Sequence, residues 1–274
     1  MAYILLLSDL HVGSDFGVFP RVAYRQEHNE RIPVRPNKGQ RYLLQCWEWM
    51  MAHLPPRLTY TIVNGDIIDG ENPREGGLYL SLHTPTDQVE AAVSLLGPLR
   101  ERSDAFFIVK GTPYHGGRAD DALAGLAKAL HATRWASGSR TGTRLWLHMK
   151  KAGGKVLNAS HHITRGWMYA SAVADRTVMM AAAAEATGKL PRADIIVRSH
   201  LHLKRVVHVE NKHVILTPAW KLLTPFAERA MEEIRAEFLS DLGAILVEVT
   251  SKGQVFVDGE TFAFPNFHPQ ITKA

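Results

Sequence analysis

Short apolar runs recur along the chain, and each stops abruptly at polar, chemically active residues. They are YILLLSD (Tyr3 to Asp9), YTIVNGDIID (Tyr60 to Asp69), AFFIVKG (Ala105 to Gly111), KVLNASHH (Lys155 to His162), ADIIVRSH (Ala193 to His200) and HVILTPA (His213 to Ala219). Runs this short and this apolar predict strands buried on both faces. Between them, Gln40 to His53 and Thr86 to Leu99 read as helices, the second placing Val89, Val93 and Leu96 along one face. Asp120 to Leu130 and Ala170 to Ala186 are rich in alanine, the best helix former. Strand alternating with helix implies an α/β layered core with functional groups at the carboxyl ends of strands. The C-terminal part departs from this pattern: Leu242 to Val249, a Ser-Lys-Gly turn, and Gln254 to Gly259 predict an antiparallel hairpin.

Two stretches lack periodicity. Gly13 to Gln40 holds Pro20, Pro33 and Pro36 with Arg21, Arg25, Arg31, Arg35 and Lys38, and is expected to be a long loop over the site. Trp135 to Lys151 reads as a second basic insertion, with Arg140 and Arg144 close to Trp135 and Trp146. The organisation expected is one domain over residues 1–274 with insertions at about 13–40 and 135–151.

Composition narrows the chemistry. The single cysteine, Cys46, excludes an intramolecular disulfide and a Cys-rich metal site, so any metal ligands must be His, Asp, Glu or Asn. No apolar run is long enough to span a bilayer, and the start lacks the basic region of a signal peptide; a soluble cytoplasmic protein without membrane contact is expected. A formal charge of +5 favours an anionic partner. The 14 histidines matter more, because imidazole is both a common metal ligand and a common proton-transfer group.

The histidines and aspartates cluster at strand ends. Asp9 and His11 close the first run, and in an extended segment residues two apart point to one side, so both could reach one cation. Gly65-Asp66 ends the second run, where the glycine lets the backbone turn and the carboxylate project from the rim, and Asp69 follows. His161 and His162 end a later strand, one directed inward and the other away. His200 and His202 repeat the alternation of the first motif.

The order Asp-x-His, Gly-Asp-x-x-Asp, Gly-Thr-x-x-His, His, His-x-His resembles the calcineurin-like metallophosphoesterase family from Asp9 to His202. The resemblance implies a four-layer αββα sandwich of two mixed β-sheets flanked by helices, and a dinuclear-metal-dependent phosphoesterase that attacks phosphorus with metal-activated water. It implies that Asp9, His11 and His202 hold one ion, that Asp66 bridges both, and that His200 with His161, or alternatively His162, holds the second. Asp69 is the nearest candidate to orient a ligand histidine. Where the family has Gly-Asn-His, this chain reads Gly111-Thr112-Pro113-Tyr114-His115. Thr112 is expected in the amide's place, directly or through water, and His115 as ligand or proton donor. The two divalent ions are expected to be manganese, with Fe, Zn, Co or Ni also suited to such ligands.

The partner expected is a phosphate ester, with nucleic acid and nuclease action in view if Arg140 and Arg144 bind a polyanion and the tryptophans stack a base. The same residues also suit a solvated basic loop beside core tryptophans. The alternatives are a phosphomonoesterase or protein phosphatase, and a metal-containing binding protein without turnover.

Overall fold

The computed structural model describes residues 1–73, 76–116, 120–162, 170–209, 211–225 and 240–262. Two mixed sheets stack face to face, with helices on both outer faces. The first sheet has β1 (Ala2–Leu7) at its centre, paired in parallel with β4 (Leu58–Asn64) and antiparallel with β12 (Leu242–Val249). It continues through β5 (Ser103–Val109) to β6 (Thr141–Gly142) on one side and ends at β13 (Val255–Phe262) on the other. The second sheet runs β10 (Arg205–Val209), β11 (Lys212–Leu216), β9 (Ile195–Arg198), β8 (Lys155–Ala159), β7 (Leu145–Met149).

Period-2 alternation explains why the predicted strands read as unbroken apolar runs. Ile4, Leu6, Ile62, Phe107 and Val109 face the second sheet and pack with Leu157, Ile195, Val197 and Ile215. Their sequence neighbours Leu5, Leu7, Val63, Phe106 and Ile108 face outward, against α1 (Lys38–His53), α2 (Pro85–Arg102) and α4 (Asp120–Ala129). On the far side, α5 (Ala170–Ala186) lays Ala174 and Val178 on Ile196 and Val214. Both faces of each central strand are therefore apolar. The result is the four-layer αββα sandwich that the resemblance implied.

The predicted helix starts are late because caps were overlooked. Asn37 and Gln40 form a reciprocal capping box that begins α1 at Lys38, and Thr84 caps α2 with Pro85 in its first turn. The stretch expected as an irregular loop, Gly13 to Gln40, contains a hairpin, β2 (Ala23–Glu27) and β3 (Glu30–Val34). Its two turn residues, His28 and Asn29, have φ of 49° and 66°, the left-handed pair that a tight hairpin turn demands. The basic stretch Trp135 to Lys151 supplies β6 and β7, so it carries strands of both sheets. The edge strand β10 went unpredicted because Arg205 and His208 interrupt its valines and none of its side chains is fully buried. Among the described residues, no helix is long and apolar enough to cross a membrane.

Candidate metal centre

The parallel strands β1, β4, β5, β8 and β9 deliver their carboxyl ends to one rim, where the chain stops being extended. Asp9, His11, Asp66, His200 and His202 all have positive φ, from 44° to 76°, and make up five of the nine non-glycine residues in that state among the described residues. The extended-segment geometry expected for Asp9 with His11 and for His200 with His202 is thus not what brings them together. Left-handed turns past each strand end do so, at a conformational cost of about 1–3 kcal/mol per residue that the surrounding hydrogen bonds must offset. Those bonds are present: Asp9 N to Gly65 O (3.1 Å), His11 N to Asp66 O (3.0 Å) and Trp220 N to Asp9 O (3.0 Å).

Two glycines make room for Asp66 and His161. A Cβ on Gly111 would lie 2.1 Å from Asp66 Oδ1, and one on Gly65, whose φ is +90°, would lie 2.3 Å from His161 Nδ1. Only glycine permits this close approach.

The convergence yields two donor sets that share a member: Asp9, Asp66, His161 and His200, and Asp9, His11 and His202. Asp9 is the carboxylate common to these two groups, and Asp66, the bridge that the resemblance implied, belongs to the first. Asp9 Oδ1 is buried without a hydrogen bond, yet three imidazole nitrogens surround it: His202 Nε2 at 3.2 Å, His161 Nε2 at 3.8 Å and His11 Nε2 at 3.9 Å. His11 Nε2 is likewise buried and unpartnered. Buried polar atoms are normally satisfied, so orphaned oxygen and nitrogen donors facing one another fit a cation between them. Asp66 Oδ2 lies 3.0 Å from His161 Nε2.

Supporting contacts fix the rings. His11 Nδ1 is 2.7 Å from Asp69 Oδ1, and His161 Nδ1 is 2.8 Å from the Asn64 carbonyl, which leaves Nε2 of each ring directed at the acids. Of the adjacent pair, His161 is the fully buried member of the cluster, while His162 is exposed and outside both sets. Thr112 donates from its backbone N to Asp66 Oδ1 (2.6 Å) and from Oγ1 to Asp66 Oδ2 (2.7 Å), and Oγ1 also lies 3.3 Å from His161 Nε2 and 3.5 Å from His200 Nδ1. His115, within α3 (Pro113–Gly116), sets its Nδ1 2.9 Å from the Asp69 carbonyl and its ring centroid 4.5 Å from that of His11. With His11 and Asp69 it forms a third group of possible ligands.

Electrostatics follow from this crowding. Burial alone would raise the pKa of Asp9 and of Asp66, but neighbouring imidazoles, His161 above all, hold both carboxyls well below the usual range. Burial pushes His11 down to about 3, helped by Lys221 and His115, so it stays neutral with a free Nε2 lone pair. For His161, burial acts downward but Asp9 and Asp66 outweigh it and lift the ring to about 9. Three buried carboxylates, those of Asp9, Asp66 and Asp69, are thus crowded at one rim.

Sequence reasoning missed several members. Lys221, buried after β11, places Nζ 3.0 Å from Asp69 Oδ1 and 3.4 Å from His11 Nδ1. Asn64 donates to Ser199 Oγ (2.6 Å) and the Ser160 carbonyl (3.1 Å), and Thr217 joins Ser8 and Ser199, a polar seam that ties the two sheets together beneath the acids. Their only sequence signal was their place at the ends of apolar runs.

The basic residues singled out for substrate divide. Arg21, Arg25 and Arg31 form surface ion pairs with Glu48, Glu27 and Glu90. Arg140 donates to the Ala132 carbonyl, and Trp135 packs in the core between the sheets. Arg144 and Trp146 instead line a cavity on the α5 side of the second sheet.

No protein-family model matches the chain, and no curated protein does. Among solved structures, it is similar to Vps29 of Entamoeba histolytica in complex with Zn²⁺ (12% identity, 95% of this chain and 99% of that one, TM-score 0.43). It is also similar to a predicted phosphoesterase from Streptococcus pneumoniae (11% identity, 94% and 98%, TM-score 0.37) and to an archaeal phosphodiesterase (9% identity, 94% and 99%, TM-score 0.44).

Proposed function

We propose that this chain is a metal-dependent phosphoesterase acting on phosphodiesters, with two divalent cations, manganese first among them, held by the two sets that meet at Asp9. The observation that carries the reading is the pair of buried, unpartnered donors, Asp9 Oδ1 and His11 Nε2, at a rim where three carboxylates and several imidazoles converge. When bound, such ions neutralise phosphoryl oxygens and acidify a water molecule. The chain's own contribution is to hold the donors in place: Asp69 and Asn64 orient His11 and His161, and Thr112 fixes both oxygens of Asp66. His115 donates from Nδ1 to the Asp69 carbonyl, which leaves Nε2 to meet a substrate oxygen; with the ring protonated, that N–H serves as an electrostatic partner or as proton donor to the leaving alkoxide.

A small organic diester suits the surface better than a polynucleotide, because three arginines of the basic segment are already ion-paired and Arg140 is turned to the backbone. The test is parallel assay of bis-p-nitrophenyl phosphate, p-nitrophenyl phosphate and labelled DNA, each with Mn²⁺ and with chelator. Mn²⁺-dependent turnover strongest on the diester is expected. Preference for the monoester would make the chain a phosphomonoesterase, preference for DNA a nuclease, and absence of turnover on all three would leave a metal-containing binding protein.

A further inference from the structure

The cavity that receives Arg144 and Trp146 lies between α5 and strands β7, β8 and β9, and measures about 270 Å³. One wall is the outer face of the sheet, Trp146, Asn158 and Ile196; the opposite wall is the small-residue face of α5, including Ala181 and Ala184. Strand direction orients it. β8 and β9 are parallel and both end at the metal centre, and β7 is antiparallel to β8, with Leu145 opposite Ala159. Arg144, Arg198 and His162 therefore stand at the end nearest the centre, whereas Glu185 and Ala193 stand at the far end. The ring of His162 is 5.4 Å from that of His161 and 5.7 Å from that of His200, so the mouth borders the second donor set.

The charges at the two ends differ. At the far end, Glu185 is neutralised by Lys212, whose Nζ lies 2.9 and 2.6 Å from its oxygens. At the mouth, Arg198 is part-buried and, among the described residues, bonded only to neutral acceptors: the Val197 carbonyl (2.8 Å), Asn158 Oδ1 (2.9 Å) and the Asn158 carbonyl (3.4 Å). Among the described residues, no carboxylate pairs with Arg198 or with the exposed Arg144. Guanidinium forks bind phosphate oxygens bidentately, and a part-buried tryptophan offers a stacking face. The volume falls just below the ~300–1,000 Å³ common for small-molecule pockets, enough for one ring system and too little for a polymer track.

We propose that this cavity binds the organic arm of the substrate, a nucleoside-phosphate-like group whose phosphate sits between Arg144 and Arg198 and whose ring lies against Trp146. This rests on the phosphodiesterase reading for its place in catalysis, but not for its binding chemistry. Calorimetric titration of the Mn²⁺-loaded chain with AMP, adenosine and inorganic phosphate tests it, alongside the Arg144→Glu and Trp146→Leu variants. AMP should bind at least about tenfold more tightly than either fragment, and Arg144→Glu, at an exposed position that tolerates the change, should weaken it about tenfold or more. Trp146→Leu should weaken AMP and adenosine while leaving phosphate unchanged. AMP binding no tighter than phosphate, or unaltered in Arg144→Glu, overturns the proposal. Because heat of binding is read rather than turnover, a chain that binds AMP through Arg144 yet hydrolyses no diester keeps the pocket and loses the catalytic reading. A chain that hydrolyses the nitrophenyl diester but ignores AMP does the reverse.

Discussion

Lys221 is the residue whose burial asks most of its surroundings. Its ammonium is compensated by Asp69, which in turn holds His11, so removing the charge strands a buried carboxylate. Breaking a buried pair at one partner costs about 3–5 kcal/mol, and Lys221→Met should lose stability on that scale in urea unfolding. A loss under about 1 kcal/mol would mean that Asp69 is satisfied without it. Asp66 behaves differently, because it stands at a strand end and its oxygens accept from Thr112. Asp66→Asn keeps an acceptor and nearly the same shape, so the fold should stand. Loss of one negative ligand should lower Mn²⁺-dependent turnover by more than about a hundredfold, since even residues that merely orient ligands cost 10–100-fold. Near wild-type rate with unchanged circular dichroism would remove Asp66 from the proposed centre.

At the scale of elements, the strand ends hold the chemistry and the edges report on packing. On β10 and β11, His208 and His213 stack across the antiparallel pair with centroids 4.5 Å apart. Burial lowers the pKa of His213, and His208 and Lys155 lower it further. The folded chain then binds a proton at His213 less readily than the unfolded chain, so stability contributed by the neutral ring is complete above the unfolded value of about 6.5 and is lost as pH falls below it. Thermal melts between pH 7.5 and 5 should show that decline, and His213→Gln should make it shallower. An identical pH slope in the variant would show that the stacked pair tolerates the second charge.

For the molecule as a whole, the metal sets join distant segments: Asp9 near the amino end, Asp66, His161 and the pair His200 and His202 come from different strands of both sheets. Ions bound there stabilise only the assembled sandwich. At a free Mn²⁺ concentration a hundredfold above Kd the gain is about 2.7 kcal/mol for each ion, which for a chain of this size raises Tm by roughly 5 °C per ion. Chelator should abolish the rise, and Asp9→Asn, which removes the carboxylate common to both sets, should make Tm insensitive to Mn²⁺. A full shift in that variant would contradict the shared role of Asp9.

Layering was legible in the amino-acid order because two-sided burial forces apolar residues onto both phases of each strand, as in Ile4 to Leu7, and because a rim of Asp and His at strand ends needs only a linear reading. The hairpin β2–β3 and the caps of α1 and α2 were within reach of local turn and capping chemistry, which periodicity alone does not weigh. Other features depended on chain segments far apart in sequence. Left-handed φ at Asp9, His11 and Asp66, the inward choice of His161 over His162, and the meeting of Lys221 with Asp69 are set by hydrogen bonds and packing between residues far apart in the chain. The same holds for Arg144, just before β7, beside Arg198 at the end of β9. Their shared mouth exists only once β7, β8 and β9 lie edge to edge under α5.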